Sequence, residues 1–206
     1  MARKIIGLLL LVTLAGSGWA AAAVERSEGD IAKVAIGAYR DGFYDVAREE
    51  LEDFLRRYPA SPYAYQIKLV LYLTYLHLQE CPAAAKLWPA VNQPAELRQS
   101  GFAAAQLLLQ LGFCFYQHGD PDEARRYLEK VATADPRTAQ AALAGFYLGK
   151  IAFQAGDCRR AAEILAPLQA GKNAVLDDGC RRELLYMLAL CRYRLADYRR
   201  ALPLLD

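Results

Sequence analysis

The chain repeats itself. Four segments, AYRDGFYDVAREELEDFLRRYP, LGFCFYQHGDPDEARRYLEKVATADP, LGKIAFQAGDCRRAAEILAPL and LALCRYRLADYRRALPLLD, each run from one apolar helical pattern through a short turn into a second. The turn carries Gly42, Gly119 or Gly156, with Ala196 in its place in the last segment. Glycine permits the positive φ of a tight helix–helix turn. A small residue follows shortly after: Ala47, Ala124, Ala161 or Ala201. It lets the second helix approach the first. Leu51 and Phe54, Leu128 and Val131, and Leu165 and Leu168 continue a helical apolar stripe from that alanine. Pro59 and Pro136 stop the second helix of their segments. Such self-similarity predicts helix pairs stacked in a row, each burying its apolar face against its neighbours.

A longer period overlies this one. Residues 62–129 align without a gap to 139–206, an offset of 77, and 13 of 68 positions are identical, including Cys81/Cys158, Cys114/Cys191, Tyr116/Tyr193 and Asp120/Asp197. The alignment reveals a degenerate second repeat, YQIKLVLYLTYLHLQECPAAAKLWPAV. In it Gln79 takes the glycine turn position, and Ala84 and Ala85 stand where Ala161 and Ala162 do. A two-repeat unit has been duplicated, with loops 91–101 and 169–180 in equivalent places. Helices are predicted over 28–41, 44–58, 62–79, 82–91, 101–118, 121–133, 138–155, 158–169, 179–195 and 198–206. The last leaves an apolar stripe without the polar cap that ends such arrays. Continuation past Asp206, or a partner over that end, is the expectation.

The first residues read differently. Arg3 and Lys4 precede an apolar run from Ile5 to Ala15, and Gly16 to Ala23 ends in small residues of A-x-A type. This is the pattern of a cleaved secretory signal, residues 1–23, and the run falls short of the roughly 20 residues of a membrane-spanning helix. Leu14-Ala15-Gly16-Ser17 has the form of a bacterial lipobox except that Ser17 lacks the thiol that takes the lipid. Of 25 basic residues two lie in this segment and no acidic one does, so residues 24–206 carry 23 of each sign and are neutral. A neutral chain gives no case for a nucleic-acid partner. The apolar content, 55%, excludes a disordered chain.

Leu111-Gly112, Gly119, Ala124 and Pro136 follow one another as in the tetratricopeptide repeat, and so do Leu148-Gly149, Gly156 and Ala161. The resemblance covers about residues 28–206. Repeats start near 28, 65, 105, 142 and 182, wider apart than the family's period of about 34 residues. The resemblance implies an all-α, right-handed superhelical solenoid of helix pairs. It also implies a concave face lined by the first helix of each pair, where a protein or peptide docks. Projected on that face are Tyr39, Arg40, Leu73, Leu76, Phe113, Tyr116, Lys150, Phe153, Leu190, Tyr193 and Arg194. Aromatic and cationic residues anchor interfaces, and an apolar partner segment with some acidic groups fits them. The family's carboxylate clamp of Asn and Lys is absent, so binding of a chaperone tail is not expected.

The first repeat, closed by Tyr58-Pro59-Ala60-Ser61-Pro62, is similar to repeats of Gram-negative envelope proteins. Those families include the outer-membrane assembly lipoprotein and the Tol-Pal cell-division coordinator. The lipid cysteine of the first and the N-terminal coiled coil of the second are missing. The resemblance implies a periplasmic or outer-membrane-associated protein.

In an antiparallel stack the start of one pair's second helix and the end of the next pair's first helix lie at one level. Cys81–Cys114 and Cys158–Cys191 are therefore the bridges the spacing allows in an oxidising compartment. The alternative is small buried residues in helix packing. Cys180 is left over.

Catalytic, cofactor and metal sites are not expected. His77 and His118 have no serine or aspartate placed to make a triad and read as packing or surface residues. Glu49, Glu50, Glu52 and Asp53 read as a solvated helix face. Asp177 and Asp178 could at most hold a cation weakly. The sequence is thus read as a non-catalytic scaffold without cofactor. Two alternatives remain: an accessory region of a longer envelope enzyme or transport system, and a self-assembling oligomer.

Overall fold

The computed structural model of the chain describes residues 27–170 and 176–204. The expected signal, residues 1–23, residues 171–175 of the expected loop 169–180 and residues 205–206 of the last expected helix lie outside the described residues. Among those described there are α-helices and one short 3₁₀ turn, and no strand. The helices are α1 (Glu28–Arg40), α2 (Tyr44–Arg57), α3 (Ala64–His77), α4 (Cys81–Val91), α5 (Pro94–Gln99), α6 (Ala104–His118), α7 (Pro121–Ala134), α8 (Ala139–Gln154), α9 (Cys158–Ala170), α10 (Asp178–Arg194) and α11 (Tyr198–Ala201). They pair as α1/α2, α3/α4, α6/α7, α8/α9 and α10/α11, and each pair packs on the next. The architecture is an all-α solenoid of helix hairpins.

One turn closes all five hairpins. Its left-handed residue is Gly42, Gln79, Gly119, Gly156 or Ala196, with φ of 83°, 60°, 81°, 79° and 61°. The N–H of the following residue donates to a carbonyl five residues back in every case: Phe43 to Ala38, Glu80 to Tyr75, Asp120 to Phe115, Asp157 to Ala152 and Asp197 to Arg192, at 2.8–3.0 Å. This satisfies carbonyls that each first helix would otherwise leave open. An L-residue held in that region costs roughly 1–2 kcal/mol. Ala196 is exposed and loses no packing on truncation. Ala196→Gly is therefore expected to stabilise the last hairpin by about 1 kcal/mol. Thermal unfolding of the two chains checks this, and a lower midpoint in the variant contradicts it.

Side chains mark the helix starts. The carboxylate of Asp120 accepts from the N–H of Glu123 at 3.1 Å, and that of Asp177 from the N–H of Cys180 at 2.7 Å. Asp177 is thus a helix cap, with its charge directed at the backbone of α10 rather than at a cation. Its carboxyl lies below the ordinary range because of that hydrogen bonding. Helices α2 and α7 end just ahead of Pro59 and Pro136, where Tyr58 and Asp135 leave the helical region at φ of −128° and −150°.

Two elements differ from expectation. The last expected helix, 198–206, is α-helical only over Tyr198–Ala201 and passes into the 3₁₀ turn Leu202–Leu204, where Pro203 offers no N–H. The loop predicted over 91–101 contains α5, with Pro94 in its first turn and Leu97 only 3% exposed. A six-residue helix has no periodicity to read, and it is held by burial of Leu97 in the core rather than by propensity.

The core runs the length of the array as linked clusters. Leu51, Phe54 and Ile67 fill one end, Tyr72, Leu107, Leu111 and Leu128 the middle, and Phe146, Leu165, Leu184 and Leu188 the other end. Where the two helices of a hairpin cross, the sequence repeats a pair sixteen residues apart. It is Tyr72 and Trp88 in α3/α4, Gly112 and Leu128 in α6/α7, and Gly149 and Leu165 in α8/α9.

Candidate partner-binding groove

The first helices α1, α3 and α6 leave a recess of about 400 Å³ between them, lined by Tyr39, Leu73, Leu76, His77, Gln79, Phe102, Gln110, Phe113, Cys114 and Gln117. A second recess of about 590 Å³ shares Tyr39, Leu73 and Phe102 and extends past Arg40 to α5 through Glu96, Gln99 and Ser100. Four of the expected groove residues, Tyr39, Leu73, Leu76 and Phe113, thus share one concavity, and Arg40 stands at its neighbour. Spacing of three or four residues places Leu73, Leu76 and His77 on one face of α3, and Gln110, Phe113 and Gln117 on one face of α6.

Aromatic contacts shape the rim. At the α1 end His77 stacks on Tyr44, centroids 4.3 Å apart and planes 6° apart, while Tyr39 lies 5.7 Å from His77. At the α6 end Phe113, Tyr116 and Tyr147 form a cluster, with Phe113 and Tyr147 5.0 Å apart and Tyr116 and Tyr147 5.3 Å apart. The amide of Gln154 donates to the Tyr116 hydroxyl at 3.0 Å. Burial raises the Tyr39 and Tyr147 phenols above their ordinary pKa, so both remain neutral donors across the physiological range.

The other expected residues stand apart from this concavity. Lys150 pairs with Glu183 at 2.6 Å and lies 5.9 Å from the ring centroids of Tyr116 and Phe146. Partial burial works against its charge, but the Glu183 hydrogen bond and the neighbouring tyrosines leave its pKa raised. Phe153 is half-buried against the α9/α10 core, and Leu190 is also half-buried. Tyr193 is exposed and meets Tyr198 edge-on at 5.3 Å. The Arg194 guanidinium donates to the Cys158 sulfur at 4.0 Å. Within the described residues, then, the expected set falls into a proximal cluster on α1, α3 and α6 and a distal set on α8 and α10.

Several lining and rim residues lie outside the expected groove set: His77, Phe102 and Tyr147, and also Gln79, Gln110 and Gln117. His77 reads from the sequence as a packing or surface residue, Tyr147 lies one turn before the expected Lys150, and Phe102 precedes α6 in a connection. The offset of 77 gave a signal for the first, since His77 aligns with Gln154, the residue that holds Tyr116.

The cysteines divide as well. Cys81 at the start of α4 and Cys114 in α6 form a disulfide with Cα atoms 5.8 Å apart, joining the second hairpin to the third beneath the recess. Cys158, Cys180 and Cys191 are free thiols. The second expected bridge is therefore open in this structure, its Cys158 sulfur shared between Cys191 and Arg194.

The acidic run of α2 has partners within the protein. Asp53 pairs with Arg56 at 2.8 Å and with Arg57, and Glu52 accepts from the Tyr75 hydroxyl at 2.9 Å. No group of three or more metal-ligating side chains stands together among the described residues. No helix among them is long and apolar enough to cross a membrane.

Residues 105–138, which span α6 and α7, match the tetratricopeptide repeat family. The fold is that of a tetratricopeptide array. Solved structures bear this out over most of the chain. MamA from AMB-1 superposes with a TM-score of 0.58 at 18% identity, covering 86% of this chain and 87% of its own. YrrB, described as a tetratricopeptide protein with an unusual peptide-binding site, gives 0.57 at 14% identity, covering 87% and 84%. PilF of Pseudomonas aeruginosa gives 0.51 at 16%, covering 86% and 72%. No curated protein matches the sequence. In the tetratricopeptide frame Gly112 and Gly149 are the small first-helix positions, and the recess lies on the face formed by successive first helices.

Proposed function

We propose that this chain is a non-catalytic scaffold of the bacterial cell envelope that holds a partner protein by an extended or helical segment laid across α1, α3 and α6. The observation that carries the reading is the recess itself. It presents Tyr39, Leu73, Leu76 and Phe113 as apolar anchors sites, with Gln79, Gln110 and Gln117 at its edge as hydrogen-bonding groups. A preformed surface of this kind gains affinity by burying a few anchors at little ordering cost. The peptide-binding site of YrrB, a structure of like fold, agrees with such a use. Acidic groups on the partner would meet exposed Arg40 rather than Lys150, whose charge is already engaged by Glu183. Export to the periplasm rests on the signal pattern of residues 1–23.

Selection of a random peptide display library on the purified chain tests the groove. Selected peptides are expected to carry two or more apolar residues and an acidic one. Phe113→Ala with Tyr116→Ala is expected to weaken their binding about tenfold or more, the loss of an interface anchor. Equal binding by the double variant would place the site elsewhere.

Exposed Tyr186, Tyr193, Tyr198 and Leu202 on the last hairpin favour a second reading, self-association through that end. Sedimentation of the chain separates the two, since a monomer at high concentration removes the second and leaves the first intact.

A further inference from the structure

Cys158 and Cys191 are the counterparts, 77 residues on, of the disulfide-bonded Cys81 and Cys114. They occupy the same places in the hairpin frame, the start of a second helix and the late part of the next first helix. Both are buried in one small cluster with Ala152 and Ala161, and their side chains are hydrogen-bonded. They nevertheless stand as thiols. We propose that Cys158 and Cys191 form a redox-reactive dithiol that closes to a disulfide between the fourth and fifth hairpins by exchange with a soluble disulfide oxidant.

The roles of the two sulfurs follow from their surroundings. Cys158 is 7% exposed and Cys191 0%, so an oxidant reaches Cys158 first. Cys158 opens α9, and the Arg194 guanidinium lies 4.0 Å from its sulfur. Burial, and then the hydrogen bond to Cys158, push the Cys191 thiol up to about 12. Cys158 is thus the attacking sulfur and Cys191 the resolving one.

In the first step the Cys158 thiolate attacks one sulfur of the oxidant. The oxidant's disulfide breaks, a mixed disulfide forms, and one thiolate leaves and takes up a proton. In the second step Cys191 attacks the Cys158 sulfur as its proton passes to the departing second thiolate. Two cysteine thiols are oxidised and one external disulfide is reduced to two thiols, so atoms and electrons balance. Cys180 takes no part. It lies eleven residues before Cys191 on the same helix, a rise of about 16 Å.

The test uses the full chain equilibrated in buffers of reduced and oxidised glutathione, followed by alkylation and peptide mapping without reduction. The expected result is loss of two of the three free thiols and a cross-linked peptide pair containing Cys158 and Cys191, with Cys180 still alkylated. Alkylation of both Cys158 and Cys191 under oxidising conditions overturns the proposal, as does a cross-link to Cys180. In the Cys191→Ser variant, Cys158 is expected to accumulate as a glutathione mixed disulfide at least several-fold above its level in the parent chain. Equal adduct in both chains would refute the resolving role of Cys191. Should that variant fail to fold, Cys180→Ser serves instead. It is expected to close the same bridge, and failure to do so overturns the assignment.

Discussion

Tyr72→Ala is expected to destabilise the array by about 3–5 kcal/mol, the range for deleting a fully buried aromatic side chain. Tyr72 is 0% exposed and its ring lies 5.8 Å from that of Trp88 within its own hairpin. Its hydroxyl donates to the Leu107 carbonyl of α6 at 2.8 Å, so the same side chain also joins the second hairpin to the third. Burial raises the phenol well above its ordinary range, which keeps this donor protonated at any pH the fold survives. Tyr72→Phe keeps the ring and leaves the Leu107 carbonyl short of a partner, for an expected loss of about 1 kcal/mol. Denaturant unfolding with fluorescence measures both, and hydrogen exchange locates the loss. Equal effects of the two variants would mean that the hydroxyl, not the ring, carries the contact. A loss below about 1 kcal/mol for Tyr72→Ala would mean that α3 and α4 close over the vacated space.

The same residue explains what could and could not be read from the sequence. Hairpin turns were legible even where the glycine was gone, because Gln79 and Ala196 sit at the register that Gly42, Gly119 and Gly156 establish, and their φ angles of 60° and 61° follow the glycines. The crossing pairs were only half legible. Leu-Gly at 111–112 and 148–149 announces a small residue facing a leucine, whereas Tyr72 facing Trp88 carries no family signature. There the repeat is recovered only through the 77-residue alignment. Helix α5 was missed because its stability comes from Leu97 meeting the core, a tertiary effect without a local pattern. In the groove, the pattern located α3 and α6 positions because these alternate with buried ones on regular helices. It did not locate Phe102, which belongs to a connection. It also included distal residues such as Lys150, since an ion pair between helices, here with Glu183, has no mark in either helix alone.

The glycine crossings lead to the opposite substitution. Gly149→Leu is expected to lose at least about 3 kcal/mol, the upper end of the cost of overpacking a core. Even a methyl group is too large at that position, because a Cβ there would stand 2.6 Å from the Leu165 Cγ, and Leu165 is 0% exposed. Two effects compete in Gly149→Ala. Helix propensity favours alanine by about 1 kcal/mol. Forcing α8 and α9 apart, or Leu165 off its rotamer, costs roughly 1–3 kcal/mol. Cγ is the branch point of Leu165 rather than the free end of a flexible side chain, so the second effect wins and a net loss is expected. Gly37→Ala supplies the control on α1. A Cβ at Gly37 meets nothing within 4 Å, so only the propensity gain remains and a rise of about 1 kcal/mol is expected. Opposite signs for Gly37→Ala and Gly149→Ala in parallel thermal melts are the prediction. A gain at both positions would show that the helices can separate freely at Gly149, and the crossing would then not be what sets the spacing of the fourth hairpin. Adding Leu165→Ala to Gly149→Ala refines the result. Removing the obstructing side chain should leave the double variant less damaged than the sum of its parts, since residues in direct contact couple by about 0.5–3 kcal/mol. Additive losses would place the strain of Gly149→Ala somewhere other than Leu165.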